Sequence, residues 1–496
     1  MFYSRLFIIL SLLLLAFQIP IIASNSFTLG VVLEPPHLDP TRGAAGAIDE
    51  IVYANVFEGL TGINHQGKVI PKLAVKWEAS KNADEFIFHL QKNVKFHDGQ
   101  SFTASDVKFS FDRAAAADSE NAQKRVFTNI SEITIQSDYQ LTIKLKQARG
   151  NFPWLLGLGD SIIVSSKSQA KNKTSPIGTG PFKFDRWKNG VDVKLVKNKS
   201  YWGKPTELDT VKFRFISDPN AAYNAMITGD VDGFANFPAP ELVEQFRGDK
   251  RFVVNIGQTE GETILAINNR QVPFNDLKVR QAVSYAINKT DIIDGAMFGL
   301  GTPIGSHYPP AAENYHDLTN KYSFNVKKAK SLLAEAGYPD GFKTTIHLPP
   351  PTYARRGGEI IAAQLREIGI EAELIPVEWA QWLTRVFKNK EYDLTIISHT
   401  EPKDIEIYSR PNYYFNYANE AFAKIMEDLN ATAEPKKRRE LEIAGQQKLA
   451  DDAVNVFLFM LSKNGVWKAD AKGLWLNSPV QSNDMTNVYW SNIIAQ

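Results

Sequence analysis

Segments with the two-residue periodicity of strands recur along the chain, and from about Thr263 onward they alternate with segments of helical periodicity. In the strand segments apolar and polar residues alternate, which predicts one buried face for each; examples are residues 86–90, 141–145, 211–215 and 263–267. Typical helix signals begin at Thr103, which forms a near capping box with Asp106, and at Asn325, whose side chain can cap the helix that follows. This alternation predicts an α/β fold, in which helices cover a sheet.

The composition changes near residues 258–262, and this change is the predicted domain boundary. Before it strands dominate and the loops are rich in Pro and Gly, whereas after it strands and helices alternate. At about 150 residues per domain, a chain of 496 residues predicts about three structural units. The chain contains no cysteine, so disulfides, thiolate metal sites and cysteine nucleophiles are excluded, and packing alone must hold the units together.

The first 23 residues differ in character from the rest. Arg5 precedes an almost unbroken apolar run at residues 6–17, and small residues follow at 23–26. This pattern is typical of a cleaved secretory signal, and it predicts a protein exported to the periplasm. Without cysteine the exported protein carries no lipid anchor. The alternative is an uncleaved membrane anchor, because the mostly apolar residues 6–22 lie at the short limit of a spanning helix.

Known catalytic and cofactor motifs are scarce. Residues 62–68 resemble a phosphate-binding loop, but Val69 stands where Ser or Thr is needed, and we interpret the string as a turn. No His-Glu-x-x-His or Gly-x-Ser-x-Gly string occurs, and we interpret isolated imidazoles such as His307 and His399 as hydrogen-bonded structural groups. We therefore expect neither a metal nor a cofactor. The 56 basic and 55 acidic residues are interleaved, which argues against a nucleic-acid partner.

A tyrosine-rich segment follows the strand expected at residues 394–397. Its aromatic residues are Tyr408, Tyr413, Tyr414, Phe415 and Tyr417. Core packing explains most aromatic residues in proteins, but a loop of this composition directly after a strand is also typical of a ligand cleft. Tyr408 is therefore a candidate ligand-binding residue.

A series of short strings covers nearly the whole chain after the first 23 residues. They are Leu-Asp-Pro at 38–40, Tyr-Ala-Asn-Val-Phe-Glu-Gly-Leu at 53–60, Pro-Lys-Leu-Ala-Val-Lys-Trp-Glu at 71–78, Val-Lys-Phe-His-Asp-Gly at 94–99, Phe-Thr-Ala-Ser-Asp-Val at 102–107, Gly-Thr-Gly-Pro-Phe at 178–182, Arg-Gln-Ala-Val-Ser-Tyr-Ala-Ile-Asn at 280–288 and Glu-Trp at 378–379. In this order they resemble family 5 of the bacterial extracellular solute-binding proteins, the oligopeptide-, dipeptide- and nickel-binding receptors of ABC importers.

The resemblance implies a periplasmic binding protein type II-like fold, in which two lobes joined by a hinge close over a ligand. Lobe I would be discontinuous, and the chain would cross between the lobes near residues 258–262 and again near 462–466. The implied bounds are 24–50, 171–260 and 466–496 for lobe I, 51–170 for a subdomain inserted in it, and 261–465 for lobe II. The resemblance also implies an inner-membrane ABC permease as the partner, and we expect a monomer.

The resemblance also implies ligand-binding positions. In peptide-binding relatives the acidic residue four positions before Leu-Asp-Pro lies on the ligand backbone; here it is Glu34, with Pro36 near it. The tryptophan of the Glu-Trp pair lines the pocket in relatives, which points to Trp379 and to Leu383 one turn further on.

Two charged anchors of peptide-binding relatives are missing from this chain. Pro402 stands where those relatives have the Asp that binds a peptide's amino terminus. Ser398 and His399 stand in place of the Gly-Trp pair before that Asp, and Ile396 in place of the Arg that oligopeptide binders carry before the pair. An unpaired terminal charge in a closed cleft costs several kcal/mol, so these departures weaken the case for a zwitterionic peptide. Residues nearby that could replace the charges are Glu401, Asp404, Arg385 and Arg410, although each could equally be a solvated surface group.

These observations favour a periplasmic receptor that binds a peptide or a peptide-sized solute and performs no chemistry. The candidate ligand-binding residues are Glu34, Pro36, Trp379, Leu383, His399, Glu401, Asp404 and Tyr408. One alternative is a secreted glycan or peptide hydrolase that uses cleft carboxylates such as Glu401 and Asp404. Another is a chaperone-like protein that binds unfolded chains through an aromatic cleft.

Overall fold

The computed structural model describes residues 25–491, so the signal predicted at residues 1–23 lies outside the described part of the chain. The described strands are β1 (Ser26–Val31), β2 (Thr61–Ile63), β3 (Val69–Pro71), β4 (Ala74–Ala79), β5 (Glu85–Leu90), β6 (Ile130–Ser137), β7 (Gln140–Leu145), β8 (Phe182–Lys188), β9 (Asp192–Lys197), β10 (Thr210–Phe215), β11 (Gly233–Phe234), β12 (Phe252–Ile267), β13 (Gly301–Pro303), β14 (Phe342–Leu348), β15 (Ile370–Pro376), β16 (Leu394–His399), β17 (Asn455–Lys468), β18 (Ala471–Lys472) and β19 (Tyr489–Trp490).

The described α-helices are α1 (Gly46–Val52), α2 (Ala104–Ala115), α3 (Lys124–Thr128), α4 (Phe152–Leu155), α5 (Pro219–Thr228), α6 (Glu244–Arg247), α7 (Leu277–Ala286), α8 (Lys289–Met297), α9 (Val326–Glu335), α10 (Thr352–Arg366), α11 (Trp379–Trp382), α12 (Glu420–Asn430) and α13 (Pro435–Asp451). Two expected helix starts are confirmed. Thr103 and Asp106 form a capping box at α2, and the Asn325 side chain accepts from the backbone N–H of Lys328 at α9.

One mixed sheet of eleven strands runs through most of the described chain. Its order is β15-β14-β16-β12-β17-β11-β1-β10-β9-β8, and β13 pairs with β17 beside this path. The pairs of β1 with β10 and β11 are parallel, as are those of β14 with β15 and β16. Parallel neighbours need a crossover connection, and α10 supplies it between β14 and β15.

The two longest strands, β12 and β17, pair along almost their whole length. The antiparallel register runs from Phe252 opposite Lys468 to Ala266 opposite Asn455, and it is interrupted between Gln258 and Glu262. An interruption of this kind bends the strand locally. It falls where the composition of the sequence changes, but the proposed domain bounds themselves stay a prediction.

A separate antiparallel sheet, in the order β4-β5-β7-β6, lies within the segment expected to be an inserted subdomain. Helix α2 contacts this segment at β6 and α3. Phe86 and Phe88 on β5 and Leu141 and Ile143 on β7 are fully buried, as the alternating pattern predicts.

Apolar cores cover both faces of the large sheet at β12. Leu265 and Ile267 pack with residues of α7, α8, α9 and α10, whereas Ile264 and Ala266 belong to the core that includes residues of α12 and α13. The sequence predicted one buried face for residues 263–267, and that prediction is wrong because helices cover the sheet on both sides. Among residues 25–491, no helix combines the length and the apolar composition that crossing a bilayer requires.

Candidate functional site

A cavity of about 670 Å³ lies between two walls from distant parts of the chain. We call the lining residues between 40 and 160 the first wall and those between 379 and 413 the second wall. The first wall comes from α1, α3, α4 and the loops beside them, and the second from α11, β16 and the segment after it. The volume is within the range typical of small-molecule sites.

Aromatic and aliphatic side chains face the cavity from one end of the second wall. Trp379, Leu383 and Phe387 line it. Trp379 and Phe387 are each 42% exposed, and Leu383 is 53% exposed. Trp382 lies between Trp379 and Phe387, with ring centroids 6.0 and 6.1 Å away, and its indole N–H donates to the Thr395 hydroxyl at 3.0 Å. The hydrogen bond to Thr395 fixes Trp382, and Trp382 in turn supports the rings of Trp379 and Phe387. These two rings therefore form a preformed apolar surface that a ligand could contact.

The segment that carries these rings begins as α11 and continues as a π-helix over Leu383–Lys388. The wider turn of a π-helix changes the angular spacing of side chains, and such turns are frequent at functional sites. Glu378 opens the segment in a capping box with Gln381. The predicted Glu-Trp helix start therefore places Trp379 at the cavity.

Imidazole and carboxylate groups form the middle of the second wall. His399, Glu401 and Asp404 line the cavity. Nε2 of His307 lies 2.7 Å from Asp404 Oδ1, and Nε2 of His399 lies 2.9 Å from the hydroxyl oxygen of Tyr414. Burial by itself would raise the pKa of Asp404, but His307 beside it brings that pKa below its usual value. Asp404 is therefore a carboxylate at neutral pH.

Two carboxyl groups face the cavity from the first wall. Asp49 lies on α1 and Asp160 in the turn after α4. Burial raises the pKa of Asp160 to about 7, and burial together with the charge of Asp160 raises the pKa of Asp49 well above its usual value. The first wall thus carries less negative charge at neutral pH than its two carboxyl groups suggest.

Arginines from both walls meet on one carboxylate at the edge of the cavity. Arg149 donates two hydrogen bonds to Glu406, at 2.7 and 3.1 Å, and Arg125 donates one at 2.9 Å. Arg410 approaches the same carboxylate to 3.5 Å from the second wall. Burial alone would raise the pKa of Glu406, but Arg149 and the other arginines lower it. The contact joins the two walls and leaves an excess of positive charge beside the cavity.

The structure brings most of the predicted site residues to the cavity. Trp379, Leu383, His399, Glu401 and Asp404 line it, as does Arg410. Tyr408 lies beneath the wall instead, 2% exposed and packed in the core, because its ring stacks on Phe415 with centroids 4.8 Å apart. Tyr413 is the residue of the tyrosine-rich segment that lines the cavity.

Glu34 and Pro36 do not line this cavity. The Glu34 carboxylate accepts from the Trp187 indole N–H at 2.9 Å and from the backbone N–H of Gly190 at 3.0 Å, in the β8–β9 hairpin. Arg385 pairs with Glu391 at 3.9 Å and is likewise outside the cavity lining. Contacts between these residues and a solute stay predictions.

The residues of the first wall are absent from the sequence predictions. Asp49, Asp160, Arg125, Arg149 and Trp154 lie in strings without a motif, and the tertiary fold alone places them opposite the second wall. The one signal in the sequence was the polar string Gly-Asp-Ser at 159–161, directly before the apolar residues 162–164.

Comparisons with known proteins agree with this architecture. The profile of the bacterial extracellular solute-binding proteins, family 5, middle part, matches residues 68–420. The dipeptide-binding protein of Escherichia coli strain K12 is 29% identical over 434 residues, which cover 78% of this chain and 80% of that protein.

Two solved structures are similar over nearly the full length. The periplasmic binding protein DppA of Helicobacter pylori, in complex with the peptide STSA, has a TM-score of 0.77 at 26% identity and covers 95% of this chain and 98% of its own. The periplasmic binding protein AgaA of A. tumefaciens R10, in complex with agropinic acid, has a TM-score of 0.76 at 26% identity and covers 94% and 98%. These likenesses confirm the predicted fold class.

Proposed function

The chain belongs to family 5 of the bacterial extracellular solute-binding proteins, and we propose that it binds a peptide or a peptide-sized solute between two closing lobes and delivers it to an ABC permease. The observation that carries the proposal is the cavity between the two walls, with partly exposed aromatic side chains and charged groups on its surface. Relatives of known ligand include the dipeptide-binding protein of E. coli and the peptide-bound protein of H. pylori.

The cavity offers three kinds of contact to a solute. Trp379, Leu383 and Phe387 provide an apolar surface, and Glu401 and Asp404 provide negative charge. Arg410, at the other end, can bind an anionic group. A solute with an apolar part and two ionic ends of opposite sign suits this arrangement. Glu401 and Asp404 then take the place of the carboxylate that relatives carry where this chain has Pro402.

Closure supplies the signal for delivery. The walls come from different parts of the chain, and β12 and β17 connect those parts through the interrupted register at Gln258. A solute that contacts both walls stabilises the closed form by its differential affinity for it. The permease then recognises the closed form.

Further parts of the proposal concern the protein's context. We propose that it is exported to the periplasm by the signal at residues 1–23, and that it acts as a monomer without a nucleic-acid partner. It performs no catalysis under this proposal. The comparisons give the hydrolase alternative no support, and Asp404 is engaged by His307 at 2.7 Å.

A solute screen with a matched pair of variants tests the proposal. Native mass spectrometry of the protein purified without added ligand identifies any co-purified solute, and melting temperatures are then measured against peptides of two to five residues and other small solutes. We expect at least one solute to raise the melting temperature. Phe387→Ala should reduce that effect, whereas Phe324→Ala, at a comparably exposed phenylalanine (46% against 42%) outside the cavity lining, should not. A solute-independent melting temperature throughout would overturn the proposal.

A further inference from the structure

A group of imidazole and carboxylate side chains surrounds Asp404 behind the second wall. Glu262 on β12, His307 and Asp404 each place a potential ligand atom within 4.8 Å of those of the other two. His399, Glu401 and Asp404 form a second such group on the cavity side. Asp404 is common to both groups, so four other donor side chains converge around it.

Glu262 is the unexpected member of the group. It is 1% exposed, and its Oε2 has no hydrogen-bond partner among residues 25–491. Burial, Asp404 and the nearby Glu260 raise the pKa of Glu262 well above its usual value. A buried carboxyl oxygen without a partner costs free energy, and a cation beside it would remove that cost.

Each imidazole is oriented by a tyrosine hydroxyl on the nitrogen opposite the group. His307 Nδ1 lies 3.3 Å from the Tyr408 hydroxyl oxygen, which leaves Nε2 facing Asp404. His399 Nε2 lies 2.9 Å from the Tyr414 hydroxyl, while its Nδ1 lies 4.0 Å from Glu401. Metal-binding histidines are commonly fixed in this way, with one nitrogen on the metal and the other on a hydrogen-bond partner.

We propose that Glu262, His307 and Asp404 bind one divalent first-row transition ion, with His399 and Glu401 on the side that faces the cavity. Mixed nitrogen and carboxylate donors suit Zn²⁺ or Ni²⁺ better than Mg²⁺ or Ca²⁺, which prefer oxygen ligands throughout. An organic ammonium group, such as the cationic end of the solute, is the competing occupant, but it gains less from an imidazole nitrogen than a transition ion does. The metal site rests on the proposed function in one respect, because the ion would lie beside the solute cavity. Metal binding itself can be measured without any solute.

Titration calorimetry of the chelator-treated protein, purified without a histidine tag, tests this with Zn²⁺ and Ni²⁺ alone. We expect saturable binding of one ion per chain, and affinity at least about tenfold weaker in Glu262→Gln and His307→Gln. Tyr408→Phe should weaken binding as well, since it removes only the group that orients His307. Glu371→Gln makes the same chemical change at an exposed carboxylate outside the group and outside the cavity lining, and is the matched control; it should leave the affinity unchanged.

Several results would overturn the proposal. One is the absence of one-to-one binding of either ion, and another is equal affinity in the Gln variants and the unmodified protein. An equal loss of affinity in Glu371→Gln, or binding of Mg²⁺ as tight as that of Zn²⁺, would do the same. Circular dichroism spectra and melting temperatures of the metal-free variants establish that each has folded. If a peptide still raises the melting temperature when no metal binds, the metal proposal fails and the receptor proposal stands.

Discussion

Replacing Glu406 with glutamine tests whether the contact between the two walls holds the closed form. The substitution keeps the size of the side chain and removes the charge that Arg149, Arg125 and Arg410 share. We expect the closed form to lose stability and the apparent affinity for solute to fall, because binding requires closure in the proposed function.

The structure sets the size of the effect. The Arg149–Glu406 pair is bidentate and mostly buried, with 19% and 22% of the side chains exposed, and removing one partner of such a pair costs about 2–5 kcal/mol. Arg125 is 58% exposed and adds little. Glutamine still accepts one hydrogen bond, so the lower end, about 2 kcal/mol, is expected. This corresponds to about a 30-fold weaker apparent affinity.

Calorimetric titration of the identified solute into both proteins measures this change. Glu371→Gln is the control, since Glu371 pairs with Lys343 at 3.6 Å on an exposed edge of the sheet and should leave the affinity unchanged. An affinity within twofold of that of the unmodified protein would show that the contact of Glu406 with the arginines does not stabilise the closed form. Tighter binding would also contradict this role of Glu406, because Arg149 and Arg125 would then bind the solute instead of holding the walls together.

Three further predictions concern the cavity and the fold. Trp379→Ala should weaken solute binding by about 1–3 kcal/mol, because a large aromatic contact is lost, and an unchanged dissociation constant would remove Trp379 from the site. The raised pKa of Asp160, about 7 in the folded state, means that the folded protein holds a proton which the unfolded chain releases near pH 4. The stability that this group contributes is therefore lost as the pH rises from about 4 to 7. Asp160→Asn should raise the melting temperature at pH 8 and not at pH 4. An equal change at pH 4 and pH 8 would contradict the raised pKa of Asp160. Glu58→Ala should lower the free energy of unfolding by about 3–5 kcal/mol, since Glu58 accepts hydrogen bonds from Thr179, Tyr201 and Trp202 in a buried network, and chemical denaturation showing a loss below 1 kcal/mol would count against this role.

Local signals in the sequence predicted the features that depend on neighbouring residues. The Thr103 capping box and the helix at Asn325 follow from side chains that bind the backbone within one turn. The string at 53–60 contains Glu58. Tyr201 and Trp202, which donate hydrogen bonds to the Glu58 carboxylate, lie more than a hundred residues further along the chain. The resemblance of these strings to the family therefore predicted the fold. The long-range contacts that stabilise the fold are seen only in the structure.

The first wall could not be predicted, because its position relative to the second depends on long-range packing. Arg149 and Glu406 are 257 residues apart in sequence, and Arg125 and Glu406 are 281 apart. Neither arginine lies in a recognisable motif. Tyr408 was a candidate ligand contact because its segment is rich in tyrosine. In the structure its side chain is buried in the core, which composition alone does not indicate.

Small-angle X-ray scattering with and without the co-purified solute measures whether the two lobes close around it. The protein is measured as purified, again after the solute has been removed by unfolding and refolding, and a third time after the solute is restored. Closure around the solute predicts a radius of gyration that rises when the solute is removed and returns to its first value when the solute is added back. A radius of gyration that is the same in all three states, with the solute bound in the first and third, would contradict closure of two lobes around a ligand.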